Sequence, residues 1–145
     1  MTTNIKTKTT RAQFVAQART CLGVRFRHQG RSPQQGLDCV GLLLYTAHSL
    51  GLTDYDYTAY PRHPDPDELE RHLNEMLEPI PVDEAKPGDV YRFAFNGEAI
   101  HVGLATDVGV LHSYAIVRKV VEHGLDDKWR DMVIEAYKIP LLEDA

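Results

Sequence analysis

Residues 86–106 read Lys86-Pro87-Gly88-Asp89-Val90-Tyr91-Arg92-Phe93-Ala94-Phe95-Asn96-Gly97-Glu98-Ala99-Ile100-His101-Val102-Gly103-Leu104-Ala105-Thr106. The first four residues have turn chemistry, and 90–95 alternate with the two-residue period of a half-buried strand. Asn96-Gly97 is the strongest short hairpin signal, because both residues tolerate positive φ. A return strand is expected at about 100–106.

Towards the C-terminus the same punctuation continues. A turn at 107–109 leads into a strand at 110–114, a further strand is expected at 119–122, a helical turn at 126–130 and a last strand at 132–139. Towards the N-terminus the period is helical. Phe14, Val15, Ala18, Cys21 and Leu22 share one helical face, with Thr10 as N-cap and Gly23 as stop. The stretch 24–37, rich in Arg, Gln, Gly and Pro, reads as a long loop. A second helix begins near Cys39 and runs to Leu50, closed by Gly51; it is apolar almost all round, so a buried central helix is expected. Asp65 caps a third helix, Pro66 suits its first turn, and Leu69, Leu73, Met76 and Leu77 form its apolar face. Helices first and an antiparallel meander afterwards define the α+β class.

Composition agrees with a single domain spanning 1–145, with a core at about 11–139 and short polar tails. The hydrophobic share of 43% against 26% charged residues leaves enough apolar surface for a real core. Residues 1–10 are polar and Thr-rich and lack the apolar stretch of a secretion signal, and no apolar run nears the ~18 residues of a membrane span. The expectation is a soluble protein synthesised in the cytoplasm, with reduced cysteines and no membrane partner. The net charge of −5 and the lack of basic–aromatic interleaving argue against nucleic acid. Yet all seven basic residues before Asp38 occur without one acid. Two readings of Arg25, Arg27 and Arg31 follow: a solvated face, or a loop that attracts an anionic substrate to Cys39.

Cys39 sits where a loop enters a helix. A thiol there feels the helix N-terminal field and unpaired N–H groups, which are expected to lower its pKa and to stabilise an oxyanion. Such a nucleophile needs a base. Among seven histidines, His48 and His72 fall within helical patterns, and His28, His63 and His123 read as solvated. His101 opens a central strand, where a polar side chain needs a reason. His112 lies on the following strand, near the same end of the hairpin, so one imidazole can hold the tautomer of the other. Zinc is the chemical competitor for Cys and two His, but there is no paired-cysteine motif and no HExxH, so no metal or cofactor is expected.

At these residues the chain resembles the NlpC/P60 family of papain-like cysteine peptidases, which cleave peptidoglycan stem peptides. Four segments match in order: Leu22-Gly23-Val24-Arg25-Phe26, Gly36-Leu37-Asp38-Cys39-Val40-Gly41-Leu42, Lys86-Pro87-Gly88-Asp89-Val90, and His101-Val102-Gly103-Leu104 with Leu111-His112-Ser113. The resemblance covers about 11–139. It implies a nucleophile helix packed on an antiparallel sheet, and a triad of Cys39, His101 and His112. It also implies a D-glutamyl–diamino acid endopeptidase and substrate contacts from Asp38, Phe26, Arg27 and Val40. Asp38 matches a position that in the family often contacts the substrate's free amine. The compact chain looks most like the phage-associated branch, which implies phage-tail partners and delivery to the cell wall. Two departures stand out. Val40 replaces a common Ser, and Phe26 replaces a common Tyr, so neither donates a hydrogen bond to substrate; the alternatives are a structural phage-tail component with the same fold and little catalysis, or another thiol acyl-transfer enzyme.

Overall fold

The structure is a computed structural model describing residues 8–144; most of the polar segment without a secretion signal falls outside the described residues. Among them, no helix is long and apolar enough to cross a membrane. Helix α1 (Arg11–Arg19) starts in a reciprocal cap: Thr10 accepts from Gln13 N–H, and the Gln13 side chain accepts from Thr10 N–H. Gly23, at φ +85°, ends the turn that follows rather than the helix itself. The expected loop contains a short hairpin, β1 (Arg31–Ser32) with β2 (Gly36–Leu37). Helix α2 (Cys39–Ser49) is capped by Asp38, and α3 (Pro66–Met76) by Asp65.

Six further strands follow: β3 (Glu78–Ile80), β4 (Val90–Phe95), β5 (Glu98–Ala105), β6 (Val110–Tyr114), β7 (Lys119–His123) and β8 (Val133–Lys138). A fourth helix, α4 (Asp127–Met132), precedes β8. The sheet order is β3-β8-β4-β5-β6-β7, all neighbours antiparallel. The meander therefore holds for β4–β7, with Asn96 and Gly97 at φ 52° and 80° in the first hairpin. Strand β8 instead doubles back to pair with β4 from the other side. Strand β3 was not expected, because Pro79 interrupts its ladder; it survives at the sheet edge, where proline is tolerated.

One face of the sheet carries Leu104, Leu111 and Val120 against Phe14, Val15 and Ala18 of α1 and Leu42 of α2. The same face carries Val90, Val102 and Tyr137 against Leu69 and Leu73 of α3. The opposite face holds Phe93, His101 and His112, with Trp129 of α4 laid over Phe93 and His112. The Lys86-Pro87-Gly88-Asp89 turn ties α1 to the sheet. Asp89 is buried, accepts Lys86 N–H at 3.0 Å and pairs with the buried Arg11 at 2.5 Å. Removing either partner would strand a buried charge.

Helix α2 departs from the expected all-round burial. Only Gly41, Leu42 and Thr46 are fully buried. Val40, Leu43, Leu44 and Ala47 line an apolar cavity of about 260 Å³ between α2 and α3, which leaves that flank unfilled. Gly41 marks the closest approach of the helix to the loop before it: a Cβ there would lie 2.0 Å from the Gly30 carbonyl oxygen. Alanine for glycine inside a helix ordinarily stabilises by about 0.5–1 kcal/mol. At this position the sign reverses, and Gly41→Ala is expected to destabilise by about 1–3 kcal/mol through overpacking, measured as a lower urea midpoint. A raised midpoint would refute the close approach.

Candidate active site

The cleft at the end of the sheet has a volume of about 210 Å³, and α3 closes one side of it with Glu68 and Leu69. The loop before α2 supplies Phe26 and His28; the α2 tip supplies Asp38, Cys39 and Val40. The segment before α3 supplies Tyr57, Tyr60 and Arg62, and the sheet supplies Phe95, Ile100, His101 and Tyr114. Ser113 fastens the helix tip to the sheet: its hydroxyl donates to Leu37 O at 2.5 Å in a buried bond. Cys39 is thereby brought against the sheet, where it packs with Val40 on the cluster of Val90, Val102 and Tyr137.

Asp38 does more than cap α2. Its Oδ1 accepts from Gly41 N–H at 2.7 Å and from Arg31 Nη1 at 3.1 Å; its Oδ2 accepts from Gln29 N–H at 2.8 Å and from the Tyr60 hydroxyl. A carboxylate has about four acceptor positions, and all are taken. Arg31 is spent on this network, since it also bonds Asp56, Tyr57 O and Tyr60. The anion-attracting reading of the basic loop therefore fails at Arg31. Arg25 and Arg27 are exposed and do not line the cleft.

The thiol does not behave as its helical position suggests. Burial, and then the Asp38 carboxylate, push Cys39 up to about 12; the N–H groups of Val102, Val40 and Cys39 pull the other way and lose. Burial, with His112 second, holds His101 well below the usual histidine range. His112 is lowered to about 3 by burial and then by His123. The resting site is a neutral thiol beside neutral imidazoles.

His101 Nε2 lies 2.6 Å from His112 Nδ1. The register explains the pairing. Leu104 faces Leu111, so continuing the ladder sets Gly103 opposite His112 and His101 two residues away on the same face. Gly103 lacks the side chain that would occupy the diagonal; a Cβ there would lie 3.2 Å from the His112 Cβ and 2.7 Å from Val110. Phe95 stacks on His101 and Tyr114 on His112, which excludes water from the pair. His123 is half-buried and keeps one side towards solvent, but its Nε2 lies 2.9 Å from His112 Nε2. Tyr60 and Trp129 were also missed, since neither falls in a periodic pattern. For His123 a signal existed, because residues 101, 112 and 123 are evenly spaced by 11. Both cysteines are free, Cys21 being buried.

A thiol on a helix tip, set against histidine-bearing antiparallel strands, is the layout of the papain-like peptidase fold. The family model of the NlpC/P60 family matches residues 23–135, and the chain belongs to that family. No curated protein matches the chain in sequence. Among solved structures, the NlpC/p60 domain of the peptidoglycan hydrolase SagA is 24% identical at a TM-score of 0.64, over 88% of this chain and 97% of that one. The peptidoglycan hydrolase RipB from Mycobacterium tuberculosis is 22% identical at 0.64, over 89% and 64%. An NlpC/P60 family protein from Bacillus cereus is 20% identical at 0.70, over 92% and 41%. At these identities the structures speak for the fold, and this chain spans less than two thirds of the latter two.

The neutral histidine pair has a consequence for acid stability. The unfolded chain protonates these imidazoles near pH 6.5, whereas the folded chain does so only at lower pH, His112 at about 3. Stability is therefore complete above the unfolded value and falls as pH drops below it, by up to about 1.4 kcal/mol per pH unit for each group. Chemical denaturation between pH 6.5 and 4.5, where most carboxylates stay ionised, is expected to show this slope, and His112→Gln to reduce it. A flat profile in wild type would contradict the buried neutral pair.

Proposed function

We propose that this protein is a thiol peptidase that hydrolyses amide bonds in peptidoglycan stem peptides, with Cys39 as nucleophile, His101 as base and His112 as its orienting partner. One observation carries the reading. Cys39 and His101 share a cleft, and the His101–His112 bond occupies Nε2 of His101, which leaves Nδ1 to the reaction. Family membership and the naming of SagA and RipB as peptidoglycan hydrolases support the substrate class.

The pKa directions favour general-base attack over a preformed ion pair. His101 Nδ1 takes the Sγ proton as sulfur bonds the carbonyl carbon, so no isolated charge forms in the cleft before substrate arrives. Of the first four N–H groups of α2, the Asp38 side chain takes that of Gly41 and the Asp38 carbonyl that of Leu42. The Cys39 and Val40 N–H groups remain and serve the developing oxyanion. The tetrahedral intermediate collapses when His101 returns its proton to the departing amine. Water then adds to the thioester, with His101 again as base.

The preferred bond in this reading is D-glutamyl–diamino acid, as the sequence resemblance implies. Phage-tail association and delivery to the wall rest on that resemblance alone. The saturated Asp38 carboxylate sets a further condition: a free N-terminal amine has no vacant acceptor there. A second reading is favoured by the apolar cavity, which shares Val40, Tyr57 and Leu69 with the cleft. In that reading the thiol accepts a lipid acyl chain.

Purified protein incubated with muropeptides of several chemotypes is expected to release new amines, detected by mass spectrometry. Cys39→Ala is expected to lower the rate by about 10⁴-fold or more. Stems still joined to glycan should be cut at least as fast as stems with a free amine. Turnover of fatty acyl esters with none of any muropeptide would favour the acyl-transfer reading; inactivity on both would defeat the peptidase.

A further inference from the structure

The hydrogen-bonded row of imidazoles does not stop at His112. His101 on β5, His112 on β6 and His123 on β7 form one diagonal across three strands, because Leu104 faces Leu111 and His112 faces Val121. His101 Nε2 meets His112 Nδ1 at 2.6 Å, His112 Nε2 meets His123 Nε2 at 2.9 Å, and His123 Nδ1 meets the Gly124 carbonyl oxygen at 2.9 Å. The row ends on an atom that can only accept. We propose that His123, anchored on that carbonyl, is a positioning residue that sets the tautomers of His112 and His101; its catalytic consequence rests on the peptidase reading above.

The assignment follows link by link for neutral rings. A carbonyl oxygen has no proton, so His123 Nδ1 must donate, and its Nε2 is left as an acceptor. His112 Nε2 must then carry the proton it donates to His123, which leaves His112 Nδ1 as an acceptor. His101 Nε2 must donate in turn, and the lone pair of His101 falls on Nδ1, the nitrogen left for the thiol proton. Without the anchor, the His101–His112 pair can hydrogen-bond in either direction. In the reverse direction Nε2 of His101 is the acceptor and Nδ1 carries a proton, so it cannot take the one on sulfur.

Packing holds the third ring in place. Trp129 lies against His123 at 4.8 Å between ring centroids and against His112 at 5.2 Å. The three imidazoles bond one another in a row and do not converge on a point, and among the described residues no His, Cys, Asp or Glu cluster is arranged to hold a metal ion.

The test uses the full chain with ¹⁵N-labelled histidine. Long-range ¹H–¹⁵N correlation is expected to show His101 and His112 as Nε2–H tautomers and His123 as Nδ1–H. In His123→Leu, which cannot accept, both remaining rings are expected to become tautomer mixtures, with kcat on muropeptides down about 10- to 100-fold and KM within about twofold. In His123→Gln, whose amide oxygen can stand where Nε2 stood, the tautomers and most of kcat are expected to return. Nδ1–H at His112 in wild type overturns the proposal whether or not the variants fold. So does a His123→Leu protein with unchanged tautomers and kcat. Tautomers that respond as expected in a protein that cuts no muropeptide would keep the relay and defeat the peptidase reading.

Discussion

The site depends on strand register. From β5 to β6 to β7 each imidazole is displaced by two residues from the position directly opposite, so the three rings stay on one face and lie diagonally within hydrogen-bond reach. Side chains alternate with period two, so a slip of one residue would turn one histidine to the helical face and break the row. Gly103 is part of the same constraint, since any side chain opposite His112 would compete for the diagonal. The turns at Thr106–Gly109 and Tyr114–Arg118, closed by Thr106 N–H to Gly109 O at 3.0 Å and Arg118 N–H to Tyr114 O at 2.9 Å, join the strands that set this register.

A second constraint is electrostatic and comes from Asp38. One carboxylate caps α2, holds the preceding loop through Gln29 and Arg31, and holds the segment before α3 through Tyr60. The same charge, placed beside a half-buried thiol, opposes thiolate formation. The geometry that presents Cys39 and the field that keeps it protonated thus have one origin. A neutral resting site follows, and in the proposed reaction charge appears only as the proton moves to His101. The Val40 and Phe26 departures fit this chemistry, since neither side chain carries a group that the proposed proton transfer uses.

Local signals carried far along the chain. Each helix start is a side-chain bond to a backbone N–H two or three residues on, at Thr10, Asp38, Asp65 and Asp126, and such bonds are properties of adjacent residues. Hairpin chemistry and alternation likewise placed β4 to β7 within a few residues, and four ordered motifs pointed to the family. Legibility ended where a partner is distant. Strand β3 exists only because β8 returns to it, and the flank of α2 is open only because α3 does not fill it.

By itself, then, the chain's order of residues determined the α+β class, the element starts and the candidacy of Cys39, His101 and His112, because caps, turns and periodicity act over a few residues. Tertiary structure decided the protonation of the thiol, the saturation of Asp38 by Arg31 and Tyr60, and the reach of the imidazole row to His123. Those depend on burial and on contacts made across aperiodic loops. Desolvation and the Asp38 carboxylate outweighed the N–H groups around the Cys39 thiol, and no sequence pattern reports how far a position is desolvated until the elements around it have packed.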